Sequence, residues 1–323
     1  MAAPIAFRAV QVLSDTSAAP WPGTRSVITI GAYDGVHLGH RAVIEQVRAH
    51  AARIGAKSVV VTFDRHPASV VRPESAPKLL SDAEQKLELL RSTGIDATLV
   101  VGFDERRQHE SAEDFVRSVL VEVLGTRAVV VGEDFHFGHR REGNVALLRQ
   151  LGARMDFEVY PVELIDRPDG VGEPVSSTAI RRALAGGNVE TATRLLGRPF
   201  EVRGVVVKGD QRGRLLGFPT ANVEVPNQIC LPADGVYAGW YVRENGDRHA
   251  CAMNLGRRPT FYEHADVSLL EAHLIDFNGD LYGERAHVSF TNFLRGERKF
   301  DGIDALIAQL KQDVDHARTV LHP

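Results

Sequence analysis

Cysteine is scarce in this chain of 323 residues, which contains only Cys230 and Cys251. Two cysteines are too few for a disulfide framework, and their separation is not that of metal ligands. No apolar run approaches the length of a membrane span, and the first residues, MAAPIAFRAV, lack the pattern of a signal peptide. These absences predict a cytoplasmic enzyme or binding protein.

An excess of charge of one sign is also lacking. The chain has 38 lysines and arginines against 42 aspartates and glutamates, a net charge of -4. This balance argues against non-specific binding to nucleic acid, although it is compatible with a local basic pocket for phosphates. The apolar content of 44% is that of a globular protein, and the length favours two domains over a single core.

The first part of the chain alternates predicted strands and helices. Five apolar runs predict strands, at residues 26–30, 57–63, 97–101, 128–131 and 157–162. Apolar spacing and capping residues predict four helices, beginning just after Gly39, at Ser81 (to Leu90), at Ser111 (to Leu124) and at Val145 (to Leu151). This alternation predicts a parallel sheet that binds ligands at the carboxyl ends of its strands.

The sequence GAYDGVHLGH, residues 31–40, joins the first of these strands to the first helix. Unpaired backbone N–H groups and the positive end of the helix dipole make such a turn a binding place for an anion. His37 and His40 project from it, and Gly39 leaves room for a phosphate. The pair suits displacement of pyrophosphate from a nucleoside triphosphate. The alternative is two ordinary surface histidines, but the strand, the glycine and the helix around them favour a site.

A second helix start, in PVSSTAIRRAL, has the same anion-binding character. Ser176, Ser177 and Thr178 bring hydroxyls and free N–H groups together, and Arg181 lies one turn further along the helix. A plain helix cap is the alternative, since serine and threonine are common at helix starts.

The pattern changes around Gly186-Gly187, which we take as the boundary between a domain at 1–186 and a domain at 187–323. Beyond Phe200 the strands are short, the turns are rich in Gly, Pro, Asn and Asp, and no helix is predicted before the last one. This pattern predicts a small β barrel. The final helix carries one apolar face predicted to pack on the barrel: Ile303, Leu306, Ile307, Leu310, Val314, Ala317 and Leu321.

The loop KGDQRGRLLGFPTAN in this second part is suited to a polyphosphate. It matches neither the P-loop nor the dinucleotide fingerprint. Three glycines and two arginines are interspersed in it: Gly209, Arg212, Gly213, Arg214 and Gly217. Thr220 and Asn222 place two neutral oxygen ligands on one side of an extended segment, enough to hold Mg²⁺ that also takes phosphate oxygens. The alternative is a glycine-rich hairpin with solvated arginines.

The segment LLEAHLIDFNGDLYG supplies a candidate general base. Glu271 and His273 lie on the same side of a predicted strand, alternating with Leu270 and Ala272. A carboxylate there could take the proton of an attacking hydroxyl. A glutamate of an edge strand that faces water is the alternative.

Together these motifs resemble the bacterial bifunctional riboflavin kinase/FMN adenylyltransferases, from about Ser26 to the final helix. The segments that carry the resemblance are His37-Leu-Gly-His40, Ser176 to Arg181, Gly213 to Asn222, the strand with Glu271, Asn254 to Phe261 and Phe293 to Phe300. The resemblance implies a Rossmann-like nucleotidyltransferase domain followed by a β-barrel riboflavin kinase domain with a C-terminal helix. It also implies ATP, riboflavin and FMN as substrates and Mg²⁺ as cofactor.

The resemblance further implies residue roles. In the barrel, Glu271 would activate the ribityl hydroxyl of riboflavin, Thr220 and Asn222 would hold Mg²⁺, and the glycine–arginine loop would cradle ATP. In the first domain, His37, His40 and Arg181 would act on the triphosphate. The remaining ATP-binding candidates there are Gly31, Asp34, Gly39, Ser176, Ser177 and Thr178. The flavin-binding candidates are Phe63, Asp134, Phe135, Phe137, Arg295 and Arg298, with core packing as the alternative role for at least one phenylalanine.

Two rival functions stay open at this point. One is a monofunctional FMN adenylyltransferase whose barrel is structural, and the intact Thr220, Asn222 and Glu271 speak against it. The other is a non-enzymatic flavin-binding regulator, against which the two phosphate-binding helix starts speak. Small molecules are the expected partners, with no nucleic acid and no membrane, and a homo-oligomer is compatible with the sequence.

Overall fold

Residues 10–14, 19–209, 212–257 and 268–321 are described by a computed structural model. The chain divides into two compact units. The first comprises Met1–Leu79 and Ala83–Val175, and the second comprises Leu80–Asp82 and Ser176–Pro323. The helix that begins after Ser176 therefore groups with the second unit, whereas the sequence places the domain boundary after residue 186. That boundary stays a prediction.

The first unit contains a sheet of six parallel strands in the order β1-β4-β3-β2-β5-β8. The strands of this unit, including the two of a small hairpin (β6 and β7), are β1 (Gln11–Ser14), β2 (Ser26–Ile30), β3 (Lys57–Phe63), β4 (Ala97–Val101), β5 (Thr126–Gly132), β6 (His136–Phe137), β7 (Gly143–Asn144) and β8 (Glu158–Val162). The predicted parallel α/β fold is confirmed.

Helices connect these strands. They are α1 (Leu38–Ile54), α2 (Ala68–Val71), α3 (Ala83–Arg91), α4 (Glu105–Gln108), α5 (Ala112–Phe115) and α6 (Val145–Met155), with 3₁₀ turns at Pro73–Ser75 and His139–Arg141. The prediction of a single regular helix from Ser111 to Leu124 is wrong in detail, because α5 continues as π-helical turns over Val116–Val123. In the described part of the chain, no helix is both long and apolar enough to cross a membrane.

The central strands are apolar because helices cover both faces of the sheet. Ile28 and Val59 belong to a core cluster that includes residues of the π-helical turns and α6, whereas Val47 of α1 joins a cluster with other residues of the sheet. All three side chains are fully buried. Ile54 continues the apolar spacing of α1 but is 47% exposed, because it is the last residue before the left-handed cap at Gly55.

Strand order locates the crevice of this unit. From β2 the chain runs to β3 and β4 on one side of the sheet, and later to β5 and β8 on the other. Ligands of such sheets bind outside the carboxyl ends of the strands where this direction reverses, here at β2 and β5. The edge strand β1 is not predicted from the sequence, since only Leu13 of its four residues is buried. The opposite edge strand, β8, contains Pro161.

The second unit is a closed antiparallel barrel of strands in the order β10-β13-β12-β11-β14-β9, closed where β9 pairs with β10. Its elements are α7 (Ser177–Ala185), α8 (Val189–Leu196), β9 (Phe200–Val207), α9 (Arg212–Leu215), β10 (Ala221–Glu224), β11 (Gly235–Val242), β12 (Arg248–Arg257), β13 (Ser268–Leu274), β14 (Arg285–Arg295) and α10 (Ile303–Leu321). The predicted barrel with a C-terminal helix is confirmed.

Two details of the barrel unit differ from the sequence prediction. The short helix α9 lies within the glycine–arginine loop, where no helix is predicted. Ile303, predicted on the apolar face of the last helix, is 64% exposed, because later turns of α10 make the contacts with the barrel. Val314 and Ala317 pack there against small side chains of β11 and β12, including Ala238 and Ala252.

Candidate active sites

The turn between β2 and α1 has an unusual backbone. Tyr33 and Val36 have φ angles of +49° and +39°, on either side of Gly35 at +77°. Left-handed φ in a β-branched residue such as Val36 costs on the order of 1 to 3 kcal/mol, and it persists only where the surroundings fix it. Val36 is fully buried, and the Tyr33 hydroxyl pairs with that of Thr29 at 2.6 Å. The turn is therefore held rigidly at the crevice.

His37 and His40 stack on each other at the start of α1. Their ring centroids are 3.6 Å apart, and His37 caps the helix, its Nδ1 accepting from the His40 backbone N–H at 3.3 Å. His40 Nδ1 is buried and has no hydrogen-bond partner among the described residues. Burial, and then the neighbouring His37, hold the pKa of His40 well below its usual range. Both effects favour the neutral form of the His40 ring.

Gly39, predicted to leave room for a phosphate, approaches other parts of the protein closely. A Cβ atom there would lie 3.1 Å from the Val175 carbonyl oxygen and 3.2 Å from the His37 ring. Val175 directly precedes Ser176, whose side chain caps α7 by accepting from the Ala179 N–H at 3.1 Å. Val175, which contacts Gly39, is therefore followed directly by the second predicted phosphate-binding segment.

The other predicted residues of these two segments are placed as follows. Gly31 directly follows β2, and the Tyr33 ring lies 3.1 Å from where a Cβ atom of residue 31 would be. Asp34 is buried in the turn. Ser177 and Thr178 form the first turn of α7, Thr178 being exposed, and Arg181 follows one turn later.

The predicted flavin-stacking residues fall into two groups. Phe135 and Phe137 follow β5 and stack on each other, with centroids 5.4 Å apart, and both pack on the core of the sheet. Phe63 ends β3 and instead meets Phe103 edge to face at 5.4 Å. Asp134, exposed beside Phe135, completes this set. Phe135 and Phe137, the latter in β6, lie in the segment that follows β5, at the crevice.

In the barrel, strand register aligns the predicted catalytic residues. Asn222 of β10 lies opposite Glu271 of β13, and Glu271 lies opposite Asn254 of β12. The same row continues through Val236 to Arg295 of β14. Side chains in one cross-strand row point to the same face of a sheet. The register thus brings polar groups from distant parts of the sequence onto one surface.

Two cavities adjoin this surface. One, of about 490 Å³, is lined by Glu271, His273, Met253, Phe218, Arg295 and Arg298, and by Leu306, Leu310 and Asp313 of α10, among others. The other, of about 290 Å³, is lined by Arg214, Phe277, Asp280 and Tyr282, among others. Thr220 and Asn222 line both cavities. These two residues therefore stand where molecules in the two cavities would meet.

Asn222 has the features expected of a ligand to a hard cation. Its side chain is buried, and its Oδ1 is without a hydrogen-bond partner in the described part of the chain. Gly209 makes room for it, since a Cβ atom there would lie 2.4 Å from Asn222 Nδ2. A buried amide oxygen with no partner is costly unless something else pairs with it. With Thr220 beside it, this donor set fits Mg²⁺, which prefers oxygen ligands.

The glycine–arginine loop is a helical turn closed by a Schellman motif. Phe218 N–H donates to the Gly213 carbonyl at 2.8 Å, and Gly217 N–H donates to that of Arg214 at 3.2 Å. Gly217 takes the left-handed conformation that ends such helices, with φ of +84°. Gly213 has no space for a side chain, because the Phe218 carbonyl lies 2.4 Å from a Cβ position. Both glycines are thus explained by local structure.

Arg295 is bound to the C-terminal helix. Its guanidinium forms two hydrogen bonds with Asp313, at 2.9 and 2.6 Å, and both side chains are largely buried. Gln309 donates to the same carboxylate at 2.9 Å and accepts from Arg298 at 3.3 Å. This network fixes α10 as one wall of the larger cavity.

Sequence reasoning missed Asp313 and Gln309. A signal existed, because Asp313 falls on the apolar face of the final helix, between Leu310 and Val314. Some predicted positions lie outside the described residues: the Arg212 side chain, residues 210–211, and the end of the motif running from Asn254 to Phe261.

Comparison with known proteins identifies both units. Residues 21–179 match the FAD synthetase family model, and residues 196–321 match the riboflavin kinase model. The bifunctional riboflavin kinase/FMN adenylyltransferase of Listeria monocytogenes is 37% identical over 92% of this chain and 93% of its own. The protein of the same name from Pseudomonas fluorescens is 39% identical over 92% of this chain and 93% of its own.

A solved structure agrees with this fold. A crystal structure described as a macrolide-efflux protein from Streptococcus pneumoniae superposes with a TM-score of 0.84 and 28% identity, covering 95% of this chain and 98% of the other. The two family matches and the curated relatives extend over nearly the whole chain and confirm the resemblance found in the sequence. The chain belongs to the bifunctional riboflavin kinase/FMN adenylyltransferase family.

Proposed function

We propose that this chain phosphorylates riboflavin to FMN in its barrel and then adenylylates FMN to FAD, releasing pyrophosphate. The observation that carries the kinase assignment is the position of Thr220 and Asn222 between two cavities, with Glu271 opposite Asn222. The stacked histidines at the start of α1 carry the adenylyltransferase assignment. The test is to incubate the purified protein with riboflavin, ATP and Mg²⁺ and to resolve FMN and FAD over time.

In the kinase reaction, riboflavin occupies the larger cavity and ATP the smaller one. The Glu271 carboxylate takes the proton of the ribityl 5′-hydroxyl, whose oxygen attacks the γ-phosphorus. Gly209, Arg214 and their neighbours in the glycine–arginine loop, with Arg212, hold the phosphates of ATP. Arg295 and Arg298 border the flavin, Arg295 through a guanidinium that Asp313 orients.

The kinase and adenylyltransferase families use ATP with Mg²⁺. Thr220 and Asn222 would hold the ion in the barrel, because they offer oxygen atoms where the two cavities meet. When bound, Mg²⁺ neutralises negative charge on the transferring phosphoryl group. The protein's own part is to orient the two oxygens, which the absence of a side chain at Gly209 permits.

In the adenylylation, a phosphate oxygen of FMN attacks the α-phosphorus of ATP. The nucleophile is already an anion, so no general base is needed. His37 and His40, with the N–H groups at the start of α1, stabilise charge on the triphosphate, and Ser177 and Arg181 are assigned to the same anion. The flavin ring is assigned to Phe63, Phe135 and Phe137, with Asp134 beside them.

An Asn222→Ala substitution should slow phosphorylation far more than it weakens riboflavin binding, because it removes an oxygen ligand of Mg²⁺. We expect the Mg²⁺ concentration needed for half-maximal rate to rise, and Asn222→Asp, which keeps an oxygen there, to need less Mg²⁺ than the alanine variant. Magnesium titration of the rate and quenching of flavin fluorescence measure the two effects. An equal loss of flavin affinity and turnover, with unchanged Mg²⁺ dependence, would reject the metal assignment.

The barrel should make FMN without the first unit. We expect a fragment of residues 187–323 to be soluble and active, and a fragment of residues 176–323 to be more stable. The longer fragment keeps α7, which contains Leu184. The Leu184 side chain is fully buried, and its backbone carbonyl accepts a hydrogen bond from the Ala233 N–H at 2.9 Å. Burying one such side chain contributes about 1.5 to 3 kcal/mol.

Thermal unfolding followed by circular dichroism, together with FMN formation, compares the two fragments. An active longer fragment beside an aggregated shorter one would move the domain boundary to Ser176. Two folded but inactive fragments would contradict the proposal that the barrel is self-sufficient.

A further inference from the structure

Lys86 of α3 is a cation that neither the motifs nor the proposed mechanism uses. Its ammonium donates a hydrogen bond to the carbonyl oxygen of Phe63 at 2.7 Å, and its side chain is only partly exposed. Phe63 is the last residue of β3, the strand next to β2. Lys86 therefore lies at the carboxyl edge of the sheet, beside the strand that leads into the histidine turn.

Two carboxylates act on this ammonium. Asp34 belongs to the turn after β2 and is 5% exposed, and Asp64 directly follows Phe63. Asp64 is fixed in place, since it accepts from the Phe103 N–H at 2.9 Å and pairs with Arg65 at 3.0 Å. Burial lowers the pKa of Lys86, and the charges of Asp34 and Asp64 oppose that shift. Lys86 thus faces carboxylate charge from two segments at this edge of the sheet, and it adds to the pairing that Arg65 already gives Asp64.

This edge of the sheet must accept anions in the proposed adenylylation. ATP and FMN both carry phosphate charge, and an excess of carboxylate charge beside their site would repel them. Lys86 also fixes the backbone at Phe63, one of the proposed flavin contacts.

We propose that Lys86 is a positioning residue of the FMN adenylyltransferase site, where it compensates Asp34 and Asp64 and holds the end of β3, so that the two anionic substrates bind. This inference rests on the proposed adenylylation of FMN. It adds Lys86 to the residues already assigned to that site, His37, His40 and Arg181, and it gives Lys86 a role in substrate affinity, with little effect on the chemical step.

Substitution of Lys86 tests the inference through substrate affinity. Lys86→Met should raise KM for FMN and ATP about tenfold or more, with a smaller change in kcat. Adding Asp64→Asn to Lys86→Met should restore most of the affinity, because it removes one of the two carboxylate charges that Lys86 faces. Lys57→Met is the matched control. Lys57 is the first residue of β3, at the opposite end of that strand from Phe63, and its ammonium lies 3.9 Å from the Asp96 carboxylate. Its loss should leave both KM values unchanged.

Two measurements keep the inference testable if Lys86→Met fails to fold. Asp64→Asn alone, which can still accept from Phe103, should lower KM for the anionic substrates several-fold. In the wild-type protein KM should rise at alkaline pH as Lys86 loses its proton, and Lys86→Arg should move that rise to higher pH because arginine stays charged.

The results of these experiments distinguish the role of Lys86 from the proposed function itself. Unchanged KM in a folded Lys86→Met protein, a raised KM in Asp64→Asn, or no rescue in the double variant would overturn the inference while leaving the proposed function intact. A wild-type protein that makes no FAD from FMN and ATP would instead overturn the proposed function.

Discussion

A Glu271→Gln variant should form FMN from riboflavin roughly two to four orders of magnitude more slowly than the wild-type protein. Glutamine keeps the shape of the side chain but cannot take the proton of the ribityl hydroxyl. The cross-strand alignment of residue 271 with Asn222 and Asn254 should be kept, because it depends on backbone pairing that the substitution does not change. Adenylylation of supplied FMN should be nearly unchanged.

The measurement is a time course of FMN from riboflavin and, separately, of FAD from FMN. Glu224→Gln is a suitable control, because Glu224 is an exposed glutamate of β10, two residues beyond Asn222, and lines neither cavity. A Glu271→Gln protein that phosphorylates riboflavin at the normal rate would show that another group, or none, acts as the base.

His40→Ala should produce the opposite pattern. Riboflavin should be converted to FMN at the normal rate, while FAD formation falls about two to three orders of magnitude, the usual cost of losing one donor aimed at developing charge. FMN should therefore accumulate. His50→Ala is the control on the same helix, because His50 lies near the far end of α1, where its ring packs at a tilt against Tyr160 with the ring centroids 4.1 Å apart.

The two variants together exclude a trivial explanation. General misfolding would depress both activities, whereas separate sites predict one intact activity in each variant. If either substitution abolished both steps in a protein that stays folded by circular dichroism, the two-site mechanism would fail. A shared or tightly coupled site would then be required.

Local patterns predicted most of the fold because most elements here are specified by nearby residues. The strand Lys57–Phe63 is a continuous apolar run, and Ser111 caps its helix by accepting from the Asp114 N–H at 3.1 Å, as its position predicts. The edge strand β1 escaped prediction because burial of a single residue, Leu13, leaves almost no pattern. The short helix α9 escaped because four residues are too few for helical periodicity.

The sites were predictable only as far as motifs reach. His37, His40 and Glu271 stand in patterns whose chemistry can be argued from spacing. Lys86 has no motif around it, and its role is inferred only from the fold, which brings its ammonium to the Phe63 carbonyl at the end of β3. Likewise the alignment of Asn222 with Glu271 depends on strand register, which long-range pairing sets and a single sequence does not reveal.

Pro161 has a consequence for how copies of this molecule meet. It lies in the outer strand β8, and proline has no N–H to donate to a further strand. Exposed strand edges are templates for aggregation and strand exchange, and natural sheets protect them with such residues. The barrel needs no such protection, since its strands close on themselves. Association through β8 or the barrel would therefore join surfaces through side chains, with no strand of one copy extending the sheet of another.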